Sequence, residues 1–154
     1  MLDPQALDRF NCGPITFSGS NESLYERHLT FDQVVPVSQA TARDKFEAVA
    51  RSLRDLLSQR WLKTEQTYLR HNVKRVYYVS LEFLIGRALA NNITNLMLDT
   101  VLGEAAARAG VDPLEIAGQE PDAGLGNGGL GRLGAWFLDP MATMALPGMG
   151  RRLA

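Results

Sequence analysis

The sequence is poor in cysteine, in net charge and in long apolar runs. Cys12 stands alone, which excludes an internal disulfide and suggests a reducing compartment. No cationic cluster flanks it, so it reads as an ordinary free thiol. A formal net charge of −1 gives no global field to draw in nucleic acid or an anionic lipid surface. No apolar stretch approaches the ~20 residues of a membrane-spanning helix. Met1 to Phe10 carries acids and a proline where a signal peptide has a basic segment and an apolar run. The expectation is a cytoplasmic chain with no nucleic-acid or membrane partner and no metal site. The rest is ordinary for a folded domain: of 154 residues, 45% are hydrophobic and 21% charged, too apolar a mixture for a disordered chain.

Residues 1–23 read as an irregular arm, broken by Gly13-Pro14 and Gly19. Thr41 opens a helix, with Asp44 three residues on as a weaker form of the capping box. Phe46, Val49, Ala50, Leu53, Leu56 and Leu57 recur at helical spacing and carry it to about Trp61 or Tyr68. Val73 to Ser80 is rich in β-branched and aromatic residues and predicts a strand, buried on both faces in a mixed or parallel sheet. Gly86 to Leu98 and Thr100 to Ala109 predict two helices, the second stopped by Gly110. Asp112-Pro113 predicts a capped short helix ending near Gly118. A last helix is expected from about Leu130 to Ala145, with Pro140 inside it. The fold class is α/β, helix-rich in this segment.

Before that last helix runs Asp122-Ala-Gly-Leu-Gly-Asn-Gly-Gly-Leu-Gly-Arg132, with five glycines between Gly124 and Gly131. Such a loop leaves backbone N–H groups free to face an anion, with the positive end of a helix dipole behind them. Gly124-x-Gly126-x-x-Gly129 formally matches the dinucleotide fingerprint. That fingerprint needs a strand immediately before the loop, and Pro113 to Glu120 reads as helix. No Lys-Ser/Thr follows, which excludes a nucleoside-triphosphate P-loop. The residues leave two readings open: an anion cradle, or a turn whose glycines only permit tight helix packing.

Longer ordered stretches narrow the choice. Arg75-Val-Tyr-Tyr-Val-Ser-Leu-Glu-Phe-Leu-Ile-Gly-Arg87, Asn91-Asn92, Asn95-Leu96, the run Asp122 to Arg132, Phe137-Leu-Asp139 and Met141-Ala-Thr143 together resemble the N-terminal part of glycogen and maltodextrin phosphorylases. Upstream, Glu26-Arg-His-Leu29, Arg43-Asp-Lys-Phe46, Arg54-Asp55 and Arg60-Trp61 through Gln66-Thr-Tyr68 fit the same family in order. The resemblance implies the N-terminal portion of a two-domain Rossmann-like glycosyltransferase fold of GT-B type, over residues 24–147. It implies phosphorolysis of terminal α-1,4-glucosyl units to glucose 1-phosphate, with an α-glucan and inorganic phosphate as partners and pyridoxal 5′-phosphate as cofactor. It places Asn127, Gly128, Gly129 and Leu130 at the active site, with Gly128 and Gly129 offering N–H groups to phosphate and Leu130 against the glucosyl unit. Leu84 falls near the pyridoxal ring, and Glu82 falls near the active site in a positioning role. The helix from Thr41 falls where the family forms its homodimer.

Departures from the family qualify this. Leu69 stands where regulated members stack a nucleotide activator on tyrosine, and the arm lacks a serine flanked by basic residues. Both suggest an unregulated, bacterial-type member that has lost the allosteric site. Pro140 replaces a small residue, and Gly134 and Trp136 also differ. One glycine and one proline within a helix cost about 4 kcal/mol if nothing compensates. After Pro147 the sequence diverges, so residues 148–154 read as a tail left by truncation or frameshift. No lysine follows Lys74, so the family's Schiff-base lysine is missing and no complete catalytic set is expected. The expectation is a truncated phosphorylase, inactive alone. The alternative is a free-standing module that binds phosphate or a phosphosugar, or that dimerises with a phosphorylase.

Overall fold

A computed structural model describes residues 24–153. The expected arm over 1–23 and Cys12 lie outside the described residues. The chain divides into two compact units, one of residues up to Trp61 with Asn91–Gln119, the other of Leu62–Ala90 with the residues from Glu120 on.

In the first unit, a helical turn α1 (Leu24–Arg27) widens into a π-turn over His28–Asp32, and a 3-10 turn follows at Val37–Gln39. Helix α2 (Ala42–His71) begins here. Its start is the reciprocal cap expected from the sequence. The Thr41 N–H donates to Asp44 Oδ2 at 3.0 Å, and the Asp44 N–H donates to Thr41 Oγ1 at 3.2 Å. Hydrogen bonds from Thr41, side chain first and then backbone, hold the Asp44 carboxyl below its ordinary value. Phe46, Ala48, Val49 and Leu53 form the buried face, with Leu24, Leu29 and Leu96 also buried in this unit. Leu57 is exposed, so the core stripe stops earlier than the apolar spacing suggested.

His28 is also buried and is bonded at both ring nitrogens. Nδ1 lies 2.6 Å from Asp32 Oδ2, and Nε2 lies 3.1 Å from Asp55 Oδ2. A carboxylate only accepts, so the ring makes both bonds when both nitrogens carry hydrogen. The His28 hydrogen bond, with Arg51 behind it, holds the Asp32 carboxyl low. The unit also holds α4 (Asp99–Ala109) and α5 (Pro113–Gly118). Gly110 ends α4 at φ +62°, and the Asp112 side chain caps α5 by accepting from the Leu114 N–H at 2.9 Å.

In the second unit, α2 ends at His71 because Asn72 adopts φ +45°. The Asn72 N–H then reaches Leu69 O and the Val73 N–H reaches Tyr68 O, a Schellman closure. Arg75, bonded to Glu65 at 2.8 Å, anchors the next segment to the helix. Strand β1 (Val76–Ser80) follows, then β2 (Phe83–Leu84), the start of α3 (Leu89–Asn95), β3 (Gly124–Leu125), α6 (Gly129–Thr143) and β4 (Gly148–Arg152). β1 and β4 are parallel, Val76 opposite Gly148 and Ser80 opposite Arg152. β2 and β3 are antiparallel, Phe83 opposite Leu125 and Leu84 opposite Gly124.

Three expectations are corrected here. The first predicted helix of the Gly86–Leu98 region is shorter, Leu89–Asn95, because Gly86 sits at φ +82°, outside helical space. β1 is not buried on both faces: Val76, Tyr77 and Val79 are each about half exposed in a sheet of two strands. Gly134 is compensated. It is buried where α6 crosses the strands, and a Cβ there would come to 3.2 Å from the rings of both Phe83 and Tyr78. Those rings cluster with the half-exposed Phe137, whose centroid is 5.5 Å from that of Tyr78. The helix continues through Pro140 to Thr143.

Candidate functional site

The glycine run occupies the link from β3 into α6 and is exposed throughout Pro121 to Leu130. Its first two glycine-run residues, Gly124 and Leu125, pair with β2, so the expected loop contains a short strand. Gly126 then turns the chain at φ +112°, a conformation that side chains rarely adopt. Gly128 is the N-cap of α6, extended at φ −140°, and no side chain caps the terminus. A Cβ added at Gly128 or Gly129 would meet nothing within 4 Å. The first N–H groups of this fifteen-residue helix have no partner within the helix and no side-chain cap. With the dipole behind them they form an electropositive end suited to an anion.

The sequence-selected side chains come to this loop from β2 and the residue before it. Glu82 packs against Gly126 so closely that a Cβ there would lie 2.6 Å from its carboxylate and 2.7 Å from its Cβ. Leu84 packs against Gly131, where a Cβ would lie 2.9 Å from its Cγ. Glu82 and Leu84 thus form the floor beneath the turn, both partly buried. Asn127 and Leu130 lie on the exposed side, Leu130 at 52% exposure. Arg132, one turn into α6, reaches back to the Leu84 carbonyl at 3.4 Å. Gly126 and Gly131 are glycines that close packing from below requires, whereas Gly128 and Gly129 are open above.

Residues the sequence did not single out hold the loop's root. The Ala123 carbonyl accepts from the N–H groups of Ile85 at 3.2 Å and Gly86 at 3.1 Å. The Glu120 carboxylate accepts from the Ala88 N–H at 2.7 Å and the Leu89 N–H at 3.0 Å. No local pattern marks Glu120, because its partners are more than thirty positions away. Among the described residues no group of His, Cys, Asp and Glu is placed to hold a metal ion, and no helix is long and apolar enough to cross a membrane.

Residues 106–154 match the family model for carbohydrate phosphorylase. The brain form of glycogen phosphorylase from Rattus norvegicus is 50% identical over 126 residues, covering 82% of this chain and 15% of the relative. The muscle form from Homo sapiens is 48% identical with the same coverage, and the muscle form from Bos taurus 49%. These relatives are animal proteins and lend the bacterial-type reading no support. The chain spans about 15% of the length of the relatives it matches. It is a helix-rich α/β segment, and it belongs to the carbohydrate phosphorylase family as part of a phosphorylase.

Proposed function

We propose that this chain forms the phosphate-facing wall of an α-glucan phosphorylase active site, within the N-terminal portion of a two-domain GT-B type fold. The observation that carries the reading is the uncapped N-terminus of α6 at Gly128 and Gly129, held open above Glu82 and Leu84. Phosphorolysis moves a terminal α-1,4-linked glucosyl C1 from its glycosidic oxygen to a phosphate oxygen, and a proton passes to the departing 4-oxygen. The phosphate is anionic throughout. Backbone N–H groups fixed in direction stabilise that charge without reorganising, and they bring no ionisable side chain. Gly128 and Gly129 are the donors, Asn127 borders the phosphate, and Leu130 offers the sugar an apolar flank.

Glu82 takes a positioning role. Its packing against Gly126 fixes the turn from below, and a carboxylate turned upward would repel the phosphate. The family cofactor is pyridoxal 5′-phosphate, but the side chains at this loop include no amine, and no lysine follows Lys74. These residues do not fit covalent attachment of that group, and the chain offers it an apolar contact at Leu84. Catalysis therefore needs basic groups and a lysine that this chain does not supply, and the chain alone is inactive in phosphorolysis. The family's cytoplasmic location and homodimer extend to this reading, with the exposed Leu57 and Trp61 of α2 available for a subunit contact.

Titration of the ¹⁵N-labelled chain with inorganic phosphate and then glucose 1-phosphate tests the site. Saturable shifts centred on the Gly128 and Gly129 amides are expected at millimolar ligand. Shifts scattered over the surface, or none, would remove the loop from the phosphate site.

A further inference from the structure

We infer that Glu120 is a positioning residue for the glycine loop, an inference that rests on reading Gly128 and Gly129 as phosphate donors. A loop with five glycines has many accessible conformations, and each must be excluded before its N–H groups point one way. The loop is exposed from Pro121 to Leu130, so side-chain burial does little to fix it. Beside the packing of Glu82 and Leu84, it is held by a ladder joining residues 120–125 to residues 83–89. Its rungs are the β2–β3 pairs, the Ala123 carbonyl on Ile85 and Gly86, and the Glu120 carboxylate on Ala88 and Leu89.

The Glu120 rung differs from the others. It is the only one made by a side chain, and it is charge-assisted. Glu120 Oε1 lies 2.7 Å from Ala88 N and 3.0 Å from Leu89 N, and Oε2 lies 3.1 Å from Leu89 N. These N–H groups open α3, a helix of seven residues that is marginal on its own. Ala88 has no side chain able to cap it. The cap comes from Glu120, so the same bonds start α3 and clamp the root of the loop. Leu89 is buried, and Ala88 and Glu120 are partly buried. The clamp also sets the spacing between the loop and the segment carrying Glu82 and Leu84, and hence where Gly128 and Gly129 stand.

The test uses the full chain with Glu120→Ala and Glu120→Gln, amide hydrogen exchange, and inorganic phosphate followed at the Gly128 and Gly129 amides. Glu120→Ala removes the charge-assisted bonds to both N–H groups and is expected to raise exchange at least about tenfold at Ala88 and Leu89 and also at Ile85 and Gly86. It is expected to weaken phosphate binding by a similar factor. Glu120→Gln keeps an acceptor oxygen and recovers most of both. Faster exchange at Ala88 and Leu89 alone, with Ile85, Gly86 and phosphate affinity unchanged, overturns the proposal and leaves Glu120 a helix cap. If the parent chain shows no phosphate response, the phosphate reading fails, and exchange at Ile85 and Gly86 still decides whether Glu120 holds the loop. If Glu120→Ala does not fold, Glu120→Gln decides: a rise confined to Ala88 and Leu89 refutes the clamp, and a smaller rise shared with Ile85 and Gly86 supports it.

Discussion

Replacing Gly131 by alanine sets two effects of opposite sign against each other. Gly131 lies in the first turn of α6, where alanine in place of glycine gains up to about 1 kcal/mol of helix propensity. The added Cβ would meet Leu84 Cγ at 2.9 Å, Leu84 Cδ1 at 3.3 Å and Glu82 Cβ at 3.2 Å. Overpacking of this kind costs about 1–3 kcal/mol, so the clash wins and Gly131→Ala is destabilising by about 1 kcal/mol. Leu84→Ala removes both Leu84 atoms and leaves only the Glu82 contact. In that background the propensity gain prevails, and Gly131→Ala becomes neutral or stabilising. The four proteins form a double-mutant cycle, read as urea midpoints at constant slope. A coupling of about 1–3 kcal/mol is expected, with the sign of the glycine substitution changing between backgrounds. Additivity within about 0.5 kcal/mol would show that Leu84 and Gly131 do not touch, and the packing beneath the glycine loop would be wrong.

Two further outcomes follow from backbone and charge. Ala145 ends α6 at φ +52°, with the Ala145 and Leu146 N–H groups closing on Ala142 O and Met141 O. A non-glycine residue in that region costs about 1–2 kcal/mol, so Ala145→Gly should raise the thermal midpoint; an unchanged or lower midpoint refutes the closure. The Asp44 carboxyl is held low by Thr41, so its cap contribution is complete above the ordinary carboxylate value of 3.8 and is lost as pH falls through the lower folded value. The stability difference between the parent and Asp44→Ala should be constant near neutrality and shrink toward about pH 2. A difference that does not change with pH counts against the Thr41–Asp44 pair.

Local chemistry made several elements legible. Thr41 with Asp44, Asp112 with Pro113, and Gly110 each act on backbone groups within a few residues, so their helix ends could be read directly. The far end of α2 was harder. Nothing apolar marks it, and the helix stops before Asn72 because that residue tolerates a left-handed turn. β4 was the least legible. Gly148-Met-Gly-Arg-Arg152 reads as a divergent tail, yet it pairs in parallel with β1, 72 positions earlier by register (148 against 76). Its glycines make room for α6: a Cβ at Gly148 would meet Met141, and one at Gly150 would meet Leu138. That requirement exists only once helix and strand are packed.

The glycine loop shows the same division. By itself the sequence determined an anion-suited element, because glycine content and the helix after it are local properties. It also placed the chain in its family, because long ordered matches survive without structure. Only the tertiary structure decided what each glycine does. Gly126 and Gly131 yield to Glu82 and Leu84 from below, Gly128 and Gly129 stay open, and Glu120 clamps the root from across the chain. Those relations depend on contacts between residues tens of positions apart, and such contacts leave no periodic or compositional trace in the segments that make them.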